Sequence, residues 1–139
     1  MTDTATTVKI TIPMEPVSAL MPNQLEKNNH WRKRADARRE CRQMARYAAM
    51  ASGMYLEPFT GPVALTIHAA YGHDHRTPDL DATISACKPF IDGLVDAGLL
   101  VDDDQVQRIT ATHEKLHGRR GEKPQGFTRL RVEPLEVGS

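Results

Sequence analysis

The chain has 139 residues and a formal net charge of zero, a length that suits one domain with a real core. An apolar share of 40% beside 26% charged residues argues against a disordered tail and fits an ordinary globular domain. No apolar run is long enough to cross a bilayer, and the opening MTDTATTVKI lacks the build of a signal peptide. The expectation is therefore a cytoplasmic protein with one domain, residues 1–139, and no membrane partner.

In chain order, Val8, Ile10 and Ile12 of VKITIP alternate on one face and predict a strand. Met14 to Asn29, with Pro16 and Pro22, reads as a long loop. From His30 to Ser52 a helix fits. Ala37, Cys41, Met44, Ala45, Ala48 and Ala51 recur on it as an apolar stripe, and Gly53 is its stop. After the Gly61-Pro62 break, Val63, Leu65, Ile67 and Ala69 share one face of a second strand.

Ile84, Cys87, Ile91 and Leu94 then recur at helical spacing up to Gly98. Pro89 lies inside that pattern. It deprives Ser85 of its usual donor and bends or splits the helix. Gln105 to Leu116 is a β-rich run, the charged loop His117 to Gln125 is expected as a hairpin tip, and FTRLRVEP makes a last strand. The order β-α-β-α-β-β predicts an α/β (mixed α+β) domain around one mixed sheet. Cys41 and Cys87 have no metal-ligand spacing and read as reduced packing cysteines.

Neutrality hides a division of charge. Lys27 to Arg46 holds eight basic and two acidic residues, a balance of +6, while Asp74 to Asp104 holds two basic and eight acidic, a balance of −6. One part of the molecule attracts anions and another attracts cations.

In PDLDATISACKPFIDGLVDAGLLVDDDQV, Asp79 and Asp81 stand two apart just after a strand. An extended chain there points both carboxylates to one side. Like charges held together need a compensating cation, and Mg²⁺ accepts a few carboxylates, several waters and a substrate phosphate. The turn Asp102-Asp103-Asp104 supplies a third ligand if the intervening helix folds back. Such a site suits phosphodiester hydrolysis. The competing reading is a solvated turn and a helix cap, the commoner fate of an Asp triplet.

PDLD, then a helix with Lys88 and Asp92 four apart, then DDDQV before a strand, resembles the RusA family of Holliday-junction resolvases. The upstream NNHWRKRA resembles that family's Asn-rich loop leading into a basic first helix. The resemblance covers most of the chain. It implies a RusA-like fold and a homodimeric, Mg²⁺-dependent endodeoxyribonuclease that resolves four-way junctions in recombination and repair. It also implies metal-binding carboxylates at Asp79, Asp81 and Asp103, with Lys88 as the catalytic lysine. The chain departs from the family pattern in two places. Ala82 stands where many members have Asn. Ser85 stands at the usual lysine position, with Lys88 seven residues beyond Asp81, as after an insertion of about one turn.

Arg34, Arg38, Arg42 and Arg46 recur every four residues, a ridge of guanidinium groups suited to phosphate contacts. With Arg32 and Arg76 they form the expected DNA-binding set. The alternative is a non-catalytic DNA-binding protein that uses the basic helix 30–52 and carries the aspartates as a solvated face. Trp31 is expected to pack under the sheet. His73 and His75 form an H-x-H pair read as a polar loop rather than a zinc site, and Arg119 and Arg120 offer a minor second DNA contact.

Overall fold

A computed structural model describes residues 7–21, 31–52, 57–72, 77–118, 122 and 124–135. Its strands are β1 (Val8–Ile12), β2 (Val63–Tyr71), β3 (Val106–Lys115) and β4 (Phe127–Pro134). Its helices are α1 (Trp31–Ser52), α2 (Leu80–Ala86) and α3 (Lys88–Asp96). The four strands form one mixed sheet in the order β1-β4-β2-β3, with β2 parallel to β3 and antiparallel to β4. The element order and sheet type are those predicted by the hydrophobic pattern, with the second helix divided in two.

The division falls at Pro89, which occupies the first turn of α3, where its missing N–H costs nothing. Cys87 closes α2 and opens α3, and its N–H donates to the carbonyls of Thr83 and Ile84. Gly98, at φ 82°, takes the left-handed conformation that ends α3.

The helices cover one face of the sheet. Ile10, Ile12, Leu65, Ile67, Leu130 and Val132 face them, and Phe90 and Leu94 of α3 meet them from above, all buried. Full burial of a side chain such as Phe90 is worth on the order of 2–3 kcal/mol. The stripe of α1 is Cys41, Ala45 and Ala49; Ala51, expected there, is exposed, because the true stripe advances in steps of four. Trp31 also departs from expectation. It is 64% exposed, with the Arg32 guanidinium 5.4 Å from its ring centre, because it opens α1 on the face away from the sheet. The loop before β4 is not a hairpin tip: β3 and β4 flank β2 on opposite sides, so their connection passes across the sheet's end. Gly53, His30, Arg119 and Arg120 lie outside the described residues.

α1 and α3 cross where Gly93 has no side chain. A Cβ there would stand 2.4 Å from the Arg42 carbonyl oxygen and 2.7 Å from the Ala45 Cβ. Both obstacles belong to a packed helix, so Gly93→Ala is expected to lower stability by roughly 2–3 kcal/mol, overpacking outweighing the gain in helix propensity. Urea unfolding checks this, and unchanged stability would mean that the helices separate freely.

Candidate functional site

Two groups of acidic residues sit along the crossover from β2 to β3. The first is the start of α2. Asp79 is the N-cap, with φ −71° and ψ 170°, and its Oδ1 accepts from the Ala82 N–H at 2.8 Å. Asp81 lies in the first turn, exposed, with no bonded partner among the described residues. The extended chain on which a shared direction depended is not present: the helix begins at Leu80, and two helical steps turn the chain by about 200°. Capping satisfies an N–H that would otherwise be orphaned, and both carboxylates also face the positive end of the helix.

Tyr71, at the end of β2, pins α2 in place. Its hydroxyl meets the buried Thr83 hydroxyl at 2.7 Å, and burial pushes its pKa up to about 12. Pro78, just before Asp79, lines a cavity of about 610 Å³ whose walls include Pro13, Met14, Val17 and Tyr71. The residue before the cap of α2 thus borders a largely apolar hollow.

The second group is the turn Asp102–Gln105. Gln105 organises it. Its Oε1 accepts from the N–H groups of Val101 (2.6 Å) and Asp102 (2.9 Å), while its Nε2 donates to the carbonyls of Phe59 (2.7 Å) and Gly61 (2.9 Å). Asp102 completes a capping box by accepting from the Asp104 N–H. The glutamine of the DDDQV motif is thus a clamp that ties the turn to the segment leading into β2. The Asp-x-x-Gln spacing of a capping box carries this signal in the sequence.

Lys88 joins this second group. Its ammonium donates to Asp92 at 3.2 Å, one turn further along α3, and to Asp103 across the turn. The bond to Lys88 holds the Asp103 carboxyl below its ordinary value, and the bond to Asp103 raises the lysine. Asp81 and Lys88 are seven residues apart, about 10 Å along the helical path. The structure therefore brings together Lys88, Asp92 and Asp103, and leaves Asp79 and Asp81 a short helix away. Among the described residues no three His, Cys, Asp or Glu side chains converge closely enough to hold a metal ion by themselves. The donor chemistry still suits Mg²⁺, which takes one or two carboxylates and keeps several waters. Asp81 and the second oxygen of Asp79 have no partner among the described residues.

The arginine ridge on α1 is not uniform. Arg42 is committed to Asp96 by a two-pronged pair, with Nη2 to Oδ1 at 2.8 Å, which raises the guanidinium's pKa and lowers the carboxyl's. Arg34 also has a partner. Arg38 and Arg46 are exposed, and neither has a bonded partner among the described residues; Arg32 lies over Trp31. No local pattern could have revealed a pair separated by 54 positions. His73, Asp74, His75 and Arg76 lie outside the described residues. Cys41 and Cys87 are free and buried, and burial raises their thiols to about 11 and about 12, so they stay protonated packing groups.

Compared with known proteins, the chain matches no family model and no curated protein.

The Lys88–Asp103 pair sets a pH expectation. The depressed Asp103 contributes stability above the ordinary carboxylate value of 3.8 and loses it as pH falls through its lower folded value. The raised Lys88 contributes below 10.5 and loses its share as pH rises through its higher folded value. The pair therefore acts across the neutral range. Lys88→Met is expected to return the Asp103 titration towards 3.8, followed by carboxyl carbon NMR; an unmoved titration would mean that the ion pair does not form in solution.

Proposed function

We propose that the protein is a structure-selective DNA endonuclease that cuts four-way junctions with Mg²⁺, as the resemblance to RusA-like resolvases implies. The observation that carries this reading is the contact of Lys88 with Asp103. A lysine displaced by about one turn from the family position still reaches the acidic turn that precedes β3. Surface chance does not account for the whole arrangement, because Gln105 holds that turn through four hydrogen bonds to backbone groups.

In this reading the metal ligands are those the resemblance implies, Asp79, Asp81 and Asp103; the first two stand a short helix from the third, so waters and the substrate phosphate would have to complete and bridge the set. Bound there, Mg²⁺ would polarise the phosphate and lower the pKa of a water. Lys88, held by Asp92 beside Asp103, would supply positive charge for the phosphoryl oxygen once Asp103 turns to the metal. Arg38 and Arg46 on α1 offer charge to neighbouring phosphates, as does Arg32, whereas Arg42 is already neutralised by Asp96. A four-way junction has approximate two-fold symmetry and needs two matched nicks, which a homodimer with two-fold symmetry supplies.

A junction-cleavage assay with and without Mg²⁺ tests the proposal. Asp81→Asn is expected to reduce cleavage by on the order of a hundredfold or more while junction affinity holds or rises, since a negative charge near DNA is removed. Asp79→Asn has the same expected effect, and its asparagine keeps the helix cap. Lys88→Ala should slow cleavage of bound junction by about a hundredfold, the loss of one electrostatic donor. Junction binding without any Mg²⁺-dependent product would favour the non-catalytic DNA-binding protein instead.

The ridge gives a second expectation. Arg38→Ala should flatten the slope of log affinity against log salt by about one unit, while Arg42→Ala should leave it nearly unchanged. Equal flattening by both would mean that Arg42 releases Asp96 to bind DNA.

A further inference from the structure

The helices cover only one face of the sheet, and on the other face basic side chains outnumber acidic ones. Strand alternation places Lys9 of β1, Thr66 and His68 of β2, Arg108 of β3, and Arg129 and Arg131 of β4 on this uncovered side. The register sets Lys9 directly beside Arg131, and sets Arg131 and Arg129 beside Thr66 and His68. Like charges directly opposite in a sheet destabilise it. Compensation here is partial: Glu133 lies 3.5 Å from Arg131 and Glu114 3.4 Å from the His68 Nε2, while Lys9, Arg108 and Arg129 have no carboxylate partner among the described residues.

The side chains are also shaped and braced. Lys9, Thr66, His68, Arg129 and Arg131 line a depression of about 340 Å³. The Arg129 guanidinium is held 5.2 Å from the centre of the Phe127 ring, and the His68 Nδ1 is paired with the Thr112 hydroxyl at 2.7 Å. The floor therefore carries hydroxyl and ring-nitrogen groups, and the rim carries three cations. A phosphate has the complementary charge and the acceptor oxygens that both can use.

We infer that the uncovered sheet face binds the phosphate backbone of a DNA strand, in a contact separate from α1. The choice of DNA as the polyanion rests on the function proposed above; the basic face itself does not.

The test uses the full chain and the Lys9→Ala, Arg129→Ala, Arg131→Ala triple variant. A labelled single-stranded oligonucleotide and a labelled four-way junction are titrated across a salt series. The expected result is a loss of affinity of on the order of ten- to a hundredfold and a slope flatter by about two units. Adding the oligonucleotide to ¹⁵N-labelled wild type should shift the amides of Thr66, His68, Arg129 and Arg131. All three substituted side chains are exposed, so the fold should survive. If the triple variant does not fold, Arg129→Gln alone should flatten the slope by about one unit. Unchanged slope, or shifts confined to residues 31–52, overturns the inference. So does a concentration-dependent dimer that the triple variant abolishes, because the face would then belong to a second copy of the chain. The two proposals fail separately: sheet-face binding with no Mg²⁺-dependent product removes the nuclease reading alone, and junction cleavage with undiminished binding by the variant removes this one alone.

Discussion

The parallel pairing of β2 with β3 governs the rest of the structure. A parallel neighbour cannot be reached by a tight turn, so the chain must leave β2 at Tyr71, travel the length of the sheet on one side and re-enter at Val106. The travelling segment is α2 and α3, which also supply the cover that buries β2. Everything acidic in the candidate site rides on this return path. Asp79 and Asp81 stand where it departs, Lys88 and Asp92 at its middle, and Asp102 to Asp104 where it re-enters. The fold therefore spreads along a line what the sequence places close together, and only the packing of α3 beside the turn brings Lys88 back to Asp103.

The same path explains how the chain tolerates its segregated charge. Most of the aspartates in this stretch have local compensation. Asp79 caps α2, Asp81 faces its dipole, Asp92 and Asp103 share Lys88, and Asp102 caps the turn. Asp96 reaches across to Arg42, so the acidic and basic segments meet where α3 crosses α1. Exposed pairs of this kind add little stability each, because water and salt screen them. Their effect is on geometry: they fix which way each carboxylate points, and they leave Asp81, Arg38 and Arg46 as the groups with charge still to offer.

Much of the fold was legible in the sequence because it is written in local periodicity. Alternation in VKITIP and FTRLRVEP gave strands that the structure places at Val8–Ile12 and Phe127–Pro134, and Pro89 announced the break between α2 and α3. What escaped depends on partners distant in sequence. The hairpin expected before β4 fails because nothing local reveals that β2 lies between β3 and β4. The Gly93 contact with α1 and the Arg42–Asp96 pair are invisible for the same reason. In the candidate site, spacing alone does not say whether Asp79-x-Asp81 is extended; there a capping aspartate starts a helix sooner than strand alternation suggests. Gln105 is legible as the far end of a capping box, but its bonds to Phe59 and Gly61 are not, because those partners lie more than forty positions away.

The two-layer build also constrains how DNA could meet this protein. Lys88 and Asp103 lie on the helix side of the sheet, and the depression beside Arg129 and Arg131 lies on the other. A helix layer packs about 10 Å from a sheet, and a phosphate backbone cannot pass through that core. A phosphate held on the sheet face could therefore not be the phosphate next to Lys88. In linear DNA the two contacts would compete for one molecule's path around the domain. In a branched molecule they can belong to different arms, and in a two-fold dimer to arms presented by different protomers. On the proposed reading, a basic face away from the aspartates would hold a polyanion without setting its charge against them, and would favour substrates with more than one arm over a single straight duplex.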